Sequence, residues 1–245
     1  MITVETLGSS SKGNCYRLLS GGRSLLLECG LPWKEIQRKL NFETSKLDGC
    51  LVSHGHNDHS KALADVLRAG LDVYASRETF EAKGAYDHHN AKNIHETLAR
   101  DLFSVAHPCI EYYWDVRPFD VVHDIDGAIG FTVEDAENDR LLFLTDTAYC
   151  KYTFPACNII MIEANFSESI LQRNVDSGFI DPAHAKRVRE NHMSIGRVLD
   201  FLKANDLSRC REIRLIHLSD GNSNADGFKR MVQEATGIPT FIEGS

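Results

Sequence analysis

The chain has 245 residues, of which 42% are hydrophobic and 25% are charged, and its formal net charge is −8. These proportions are typical of a soluble globular protein, and no apolar run reaches the roughly 18 residues that a membrane helix requires. The acidic balance argues against long nucleic acids as ligands, because these usually bind to a basic surface.

The amino terminus and the cysteines both predict a reducing compartment. The first residues lack a charged segment followed by an apolar run, so we expect no secretory signal. The seven cysteines are scattered and form no CxxC pair. Neither a disulfide framework nor a structural zinc knuckle is therefore expected. The sequence predicts a cytoplasmic protein without membrane association.

The amino-terminal part reads as strands separated by turn residues. Apolar or β-branched runs predict strands at 2–7, 14–19 and 23–28. A short helix is predicted over 31–40, where Pro32 suits the first turn.

The rest of the chain alternates strand-like and helix-like segments. Apolar runs that end in polar residues predict buried strands at 49–54, 71–76, 140–146, 157–165 and 212–220. Helices are predicted before Gly70, in part of 77–107, after Asp181-Pro182, after Ser194 and around Phe228, whereas 109–123 alternates and is rich in aromatic residues. No internal repeat or linker is evident. One α/β domain over 1–245, with two mixed β-sheets flanked by helices, fits this order best.

The segment SHGHNDHS follows an apolar run and contains His54, His56, Asp58 and His59. Imidazole and carboxylate groups suit zinc, manganese or iron, and four such groups converge if the backbone turns between them. Gly55 permits that turn. A polar loop that is rich in histidine by chance is a much weaker reading, because HxHxDH is far more specific than a lone HxH.

This HxHxDH pattern resembles the metallo-β-lactamase-fold hydrolases, and GSSSKGNCY resembles the YycJ (WalJ) branch of that superfamily. The resemblance covers nearly the whole chain and implies an αββα sandwich. It also implies three further ligands in the order of the family's motifs. VVHDIDGAIGF offers His123, FLTDTAY offers Asp146 and RLIHLSDGNSN offers His217. One departure is Glu28, where relatives often have aspartate.

The resemblance implies a seven-ligand site for two divalent metals, with Zn²⁺ expected and Mn²⁺ as the other candidate. It assigns one metal to His54, His56 and His123, the other to Asp58, His59 and His217, and the bridging position to Asp146. Two metals held in this way activate water at neutral pH and clamp a phosphoryl oxygen. Asp58 would also orient the nucleophile or take up its proton.

Further candidates lie outside the ligand set. The segment RVRENHMSIGR resembles a GHLSN-type segment, which would place His192 and Ser194 just before a helix amino terminus. That position suits a phosphate, and His192 would protonate the leaving oxygen. The alternative is that Ser194 is only a helix cap. Glu163 and Asn165 end a predicted strand and are expected to support the ligands, with Asn165 also a candidate for substrate contact.

Two other segments leave alternatives open. The loop from Ser9 to Asn14 either faces the metals or is a plain hairpin turn. Tyr112, Tyr113 and Trp114 either belong to the core or project from a loop and stack on a nucleobase.

Three functions remain after these observations. The leading hypothesis is a phosphodiesterase of small nucleotides, above all 3′,5′-cyclic mononucleotides, because the charge is acidic and no room remains for an inserted RNA-processing domain. Such compact enzymes resemble the phage phosphodiesterases that defeat Pycsar defence, which would place the protein in the host cytoplasm. The resemblance further implies a homodimer.

The second hypothesis is a YycJ-like 5′-exonuclease on DNA or RNA. It requires a basic groove, and the only candidate is 181–214, with eight basic against five acidic residues. The third is a non-catalytic binding protein stabilised by the metals. A complete ligand set argues against it.

Overall fold

The computed structural model describes residues 1–94, 103–106 and 113–244. The chain divides into two compact units. The first unit comprises Met1–Asp120 and Ile125–Asp139, and the second comprises Val121–Asp124 and Arg140–Ser245. The prediction of a single domain over 1–245 stays a prediction.

The first unit contains nine strands and four α-helices within the described residues. The strands are β1 (Thr3–Gly8), β2 (Cys15–Ser20), β3 (Arg23–Leu27), β4 (Leu47–Leu51), β5 (Val73–Ala75), β6 (Ala91–Asn93), β7 (Phe103–Ala106), β8 (Tyr113–Asp120) and β9 (Ile129–Glu134). The helices are α1 (Trp33–Lys39), α2 (Asn57–Ser60), α3 (Leu63–Arg68) and α4 (Arg77–Ala82), with one 3-10 turn at Thr44–Lys46.

The second unit alternates strands and helices. Its strands are β10 (Arg140–Leu144), β11 (Ile159–Glu163), β12 (Glu212–Ile216) and β13 (Thr240–Ile242). Its helices are α5 (Glu168–Asp176), α6 (Pro182–Asn191), α7 (Ile195–Ala204) and α8 (Ala225–Thr236). Among the residues that the structure describes, no helix has both the length and the apolar character needed to cross a membrane.

The described strands form two sheets, of six and of seven strands, and both are mixed. The first has the order β1-β2-β3-β4-β5-β6, with antiparallel pairs up to β3 and parallel pairs from there to β6. In the second, β7, β8 and β9 pair antiparallel, whereas β10 to β13 pair parallel. Parallel strands need crossover connections, which α5 to α7 provide between β11 and β12 and α8 provides between β12 and β13.

Local sequence explains why the second unit is built in this way. All five residues of β11 are buried, as expected for a central parallel strand covered on both faces. Helix α6 begins after Asp181, whose carboxylate accepts the Ala183 N–H. Helix α8 ends at Gly237, which adopts a left-handed φ of 71°.

Several predicted elements differ from those observed. Strand β4 ends at Leu51, so two residues separate it from His54. The polar stretch 77–107 is helical in part, as expected, because α4 covers Arg77–Ala82, but the strands β6 and β7 in this stretch were not predicted. Helix α5 was not predicted, because Leu171 is its only buried residue and the apolar periodicity is weak.

The core of the first unit packs α1, α3 and α4 against buried strand residues such as Leu26, Cys50 and Val73. The six cysteines within the described ranges are free thiols. Three of them, at positions 15, 29 and 50, have no solvent exposure and serve as small core residues.

Candidate metal centre

The HxHxDH segment forms a compact cluster in the first unit, with His54 and His56 in the loop after β4 and Asp58 and His59 in α2. His54 Nε2 lies 3.1 Å from His56 Nδ1, so the two imidazoles turn ring nitrogens toward one place. His59 Nε2 lies 3.3 Å from a carboxylate oxygen of Asp58. The His54 and His59 rings are 4.2 Å apart between centroids, and both residues are buried. Buried imidazoles that converge on a carboxylate are typical of metal ligands.

The backbone of this cluster is clamped by two earlier segments. Asn14 N donates to the Asp58 carbonyl over 2.7 Å, and Cys29 N donates to the His59 carbonyl over 2.8 Å. A Cβ at Gly30 would overlap the Asp58 carbonyl, so only glycine fits there. The amide of Asn14 also lies 3.2 Å from His59 Nε2. The sequence left two interpretations of the loop from Ser9 to Asn14. The contact between Asn14 and His59 favours the one in which this loop faces the ligand cluster.

Glu28 lies behind His59. Its oxygens accept the Ser53 N–H over 3.2 and 3.3 Å, and Oε1 lies 3.7 Å from His59 Nδ1. Burial raises the pKa of Glu28, and the nearby imidazole of His59 partly opposes that shift. The residue adopts a left-handed φ of 66°. The carboxylate thus stands behind the ring of His59, whose Nε2 is turned toward Asp58.

A second cluster lies in the second unit, at the carboxyl ends of parallel strands. Asp146 follows β10, Glu163 ends β11, His217 follows β12, and His192 lies between α6 and α7. Each offers one ligand atom, and these atoms lie within 4.8 Å of one another. The carboxyl ends of parallel strands share one edge of a sheet, which is the usual place for a site in such folds. The donor set fits a divalent cation.

Glu163 connects this cluster through both of its oxygens. Oε1 lies 2.7 Å from His192 Nδ1 and 3.0 Å from His217 Nδ1. Oε2 accepts the N–H groups of Thr147 and Met193 over 3.2 and 3.1 Å. The side chain has no solvent exposure. Because a carboxylate can only accept, Nδ1 of each imidazole donates, and Nε2 of His217 is left as the ligating nitrogen.

Charge within the cluster is balanced by His192. Burial disfavours its cationic form, but the carboxylates of Glu163 and Asp146 outweigh burial and raise the pKa of His192 to about 11. Burial of Glu163 favours its neutral form and would raise its pKa. The positive charge of His192 outweighs burial, so the pKa of Glu163 is lowered. A protonated imidazole at this position is suited to donate a proton.

Two presumed ligands have unusual backbone conformations. Asp146 has φ 45° and His217 has φ 53°, both in the left-handed region. Asn165 donates to the His217 carbonyl over 3.0 Å, and Thr145 Oγ1 donates to the Asp146 carboxylate over 2.8 Å. Such conformations persist where surrounding contacts hold them, and they concentrate at functional sites. Asn165 therefore contacts the backbone of His217, and its role in supporting a metal ligand stays a prediction.

His123 lies in the loop after β8, within the segment Val121–Asp124 of the second unit. Its Nδ1 lies 3.1 Å from the Asn191 carbonyl, which can only accept, so Nε2 carries the lone pair. Burial lowers the pKa of His123, although nearby carboxylates oppose the shift, and the neutral ring is the form that binds metals. No sequence pattern pointed to Asn191, whose amide also donates to Asp124 over 3.1 Å.

Ser194 caps α7, as one of its two readings proposed. Its hydroxyl accepts the Arg197 N–H over 3.3 Å, and the Ile195 N–H donates to the Phe166 carbonyl over 2.9 Å. The expected phosphate contact at this helix start stays a prediction.

The predicted aromatic cluster does not form a base-stacking loop at Trp114. This side chain has no solvent exposure, and its Nε1 donates to Asp48 over 2.9 Å. The prediction that Trp114 binds substrate is therefore wrong, because an alternating strand buries every second side chain. Tyr113 lies in β8, and Tyr112 lies outside the described residues.

Comparisons with known proteins agree with this arrangement of motifs. The family model "Beta-lactamase superfamily domain" matches residues 23–217. The chain is 27% identical over 233 residues to exodeoxyribonuclease WalJ of Streptococcus pneumoniae, covering 89% of this chain and 81% of the relative. It is 28% identical over 176 residues to exodeoxyribonuclease YycJ of Bacillus anthracis, covering 69% and 64%.

Solved structures show the same fold. The metallo-β-lactamase-fold protein YhfI of Bacillus subtilis superposes with a TM-score of 0.72 at 18% identity, covering 100% of this chain and 97% of that one. A diphosphatase of the PhnP family gives a TM-score of 0.65 at 14% identity, again covering 100% and 97%. The predicted α/β class and family resemblance are confirmed. The chain belongs to the β-lactamase superfamily domain family and is a metal-dependent hydrolase with the metallo-β-lactamase fold.

Proposed function

We propose that the protein is a two-metal phosphodiesterase that removes nucleotides from nucleic-acid ends, as a 5′-exonuclease. The observation that carries this proposal is the likeness to exodeoxyribonuclease WalJ over 89% of the chain. It reverses the order of the two catalytic hypotheses, since the acidic net charge alone favoured cyclic mononucleotides.

The metal ligands in this proposal are the seven residues that the family order suggests. They are His54, His56, Asp58, His59, His123, Asp146 and His217. When bound, two divalent cations supply Lewis-acid activation of water and positive charge for the phosphoryl group. Zn²⁺ suits the imidazole-rich donor set best, and Mn²⁺ suits its carboxylates.

The chain's own residues then handle protons. Asp58 accepts the proton of the attacking water, because its carboxylate is partly exposed beside His59. His192 donates a proton to the leaving oxygen, since Glu163 and Asp146 keep its ring cationic. Glu163 holds His192 and His217 in orientation but does not touch substrate.

A second candidate is hydrolysis of small 3′,5′-cyclic mononucleotides, which the net charge of −8 favours. A short substrate needs no basic stripe, whereas affinity for long DNA depends on many phosphate contacts. We further propose that the protein acts as a homodimer.

One assay panel separates these proposals. Zn²⁺- or Mn²⁺-loaded protein is offered 5′-phosphorylated single-stranded DNA, RNA, cyclic mononucleotides and bis-p-nitrophenyl phosphate. We expect stepwise release of mononucleotides from a DNA end. Turnover of a cyclic mononucleotide without DNA cleavage would select the second candidate. Two bound metals without turnover of any substrate would overturn both and favour a binding protein. Size-exclusion chromatography with light scattering tests the dimer.

A further inference from the structure

The second unit contains a cleft of about 260 Å³ that none of the roles above uses. It lies between the loop that follows β10 and one face of α7. Its walls combine aromatic, cationic and acidic side chains, chiefly Tyr149, Lys151, Tyr152, Met193, Arg197 and Asp200. Its size is near the lower end of small-molecule pockets, roughly 300 Å³, which suits one nucleotide rather than a folded strand.

The cleft adjoins the ligand cluster of the same unit. Met193 lines the cleft, and its N–H donates to Glu163, which holds the neighbouring His192. Arg197 Nη1 donates to the Ala148 carbonyl over 2.6 Å, two residues beyond Asp146. The loop that carries Asp146 therefore continues as a wall of the cleft.

One face of helix α7 packs into the core, and the other face lines the cleft. Ile195, Val198 and Leu202 are buried. Arg197 and Asp200, three residues apart, lie on the cleft side. Both are exposed to solvent. Charged groups on one helix face beside a cleft are available to a ligand.

The opposite wall is aromatic and cationic. Tyr149 is 49% exposed, which is high for a large aromatic side chain. Lys151 Nζ lies 5.1 Å from the centre of the Tyr152 ring, so a positive charge stands beside a π-face. Aromatic rings stack on bases, and Lys and Arg bind phosphates.

We propose that this cleft is a nucleotide subsite, which rests on the proposed phosphodiesterase function. The base of the nucleotide beside the scissile bond stacks on Tyr149, and Asp200 accepts hydrogen bonds from an amino or imino group of that base. Lys151 and Arg197 contact the adjoining phosphate. The subsite explains how an acidic protein binds nucleotides without a basic stripe.

The test compares two phosphate esters, of which only one carries a nucleobase. Bis-p-nitrophenyl phosphate needs only the metal site, whereas thymidine 5′-(p-nitrophenyl phosphate) also carries a base and sugar. We expect Tyr149→Ala and Asp200→Ala to raise KM for the thymidine ester about fivefold or more, because base stacking is worth that much. Their turnover of bis-p-nitrophenyl phosphate should stay within twofold of the wild type. The matched control is Phe42→Ala, an aromatic residue that is 69% exposed in the first unit.

A binding measurement separates failure of the subsite from failure of the enzyme assignment. Thymidine 5′-monophosphate is titrated into the metal-loaded wild type, Tyr149→Ala and Phe42→Ala by calorimetry. Weaker binding to Tyr149→Ala alone supports the subsite even if no ester is hydrolysed. Equal binding to all three proteins, or equal loss of both esters in the cleft variants, overturns it.

Discussion

Replacing Glu163 with glutamine should destabilise the second unit strongly. The buried carboxylate accepts four N–H donors, two from imidazoles and two from the backbone. In either orientation, a glutamine side chain places its NH₂ group where one carboxylate oxygen was. The NH₂ group cannot accept a hydrogen bond, so the two N–H donors that faced this oxygen lose their partner. Each hydrogen bond to a charged group is worth about 1.5–3 kcal/mol, so two lost bonds cost about 3–6 kcal/mol. That is a large part of a typical unfolding free energy of about 5–15 kcal/mol.

The assay is urea unfolding of chelator-treated protein, followed by circular dichroism. Glu168→Gln is the matched control, since this exposed carboxylate pairs with Arg189 over 2.8 Å. Exposed ion pairs contribute about 0–1 kcal/mol, so the control should stay near the wild type. If Glu163→Gln also unfolds within about 1 kcal/mol of the wild type, the four-donor arrangement does not stabilise the fold.

Three further predictions concern the two clusters. Gly30→Ala should lower metal content and thermal stability, because its Cβ would displace the Asp58 carbonyl; an unchanged melting temperature and metal stoichiometry would contradict the backbone clamp. Asp146→Ala should abolish hydrolysis and lower bound metal measured by plasma mass spectrometry, and full activity would remove the two-metal proposal. In metal-stripped protein, the pKa of His192 is raised from 6.5 to about 11, so its stabilising contribution is fully present below pH 6.5 and is lost as the pH rises toward 11. The urea midpoint should therefore fall more steeply over that range in the wild type than in His192→Gln, and parallel curves would refute it.

The sequence predicted those parts of the fold that local periodicity determines. The apolar runs before Asp146, Glu163 and His217 are strands, and Ser194 begins a helix. These signals are local, because burial on both faces and capping depend on a few adjacent residues.

Other features depend on residues far apart in the chain. No pattern near Glu163 shows that four donors from three separate segments meet on its oxygens. Trp114 reads equally well as a core or an exposed aromatic residue until its partner Asp48, 66 positions away, is known. Helix α5 escaped prediction because it buries a single side chain.

The left-handed backbone at Asp146 and His217 has a consequence for protein engineering. Glycine adopts such angles without steric cost, whereas other residues raise the energy of the folded state. A library selected only for heat resistance should therefore enrich glycine or asparagine at these two positions and discard the side chains that we propose as metal ligands. Thermostability and turnover would then diverge at the same two codons, so a useful screen must select for both at once.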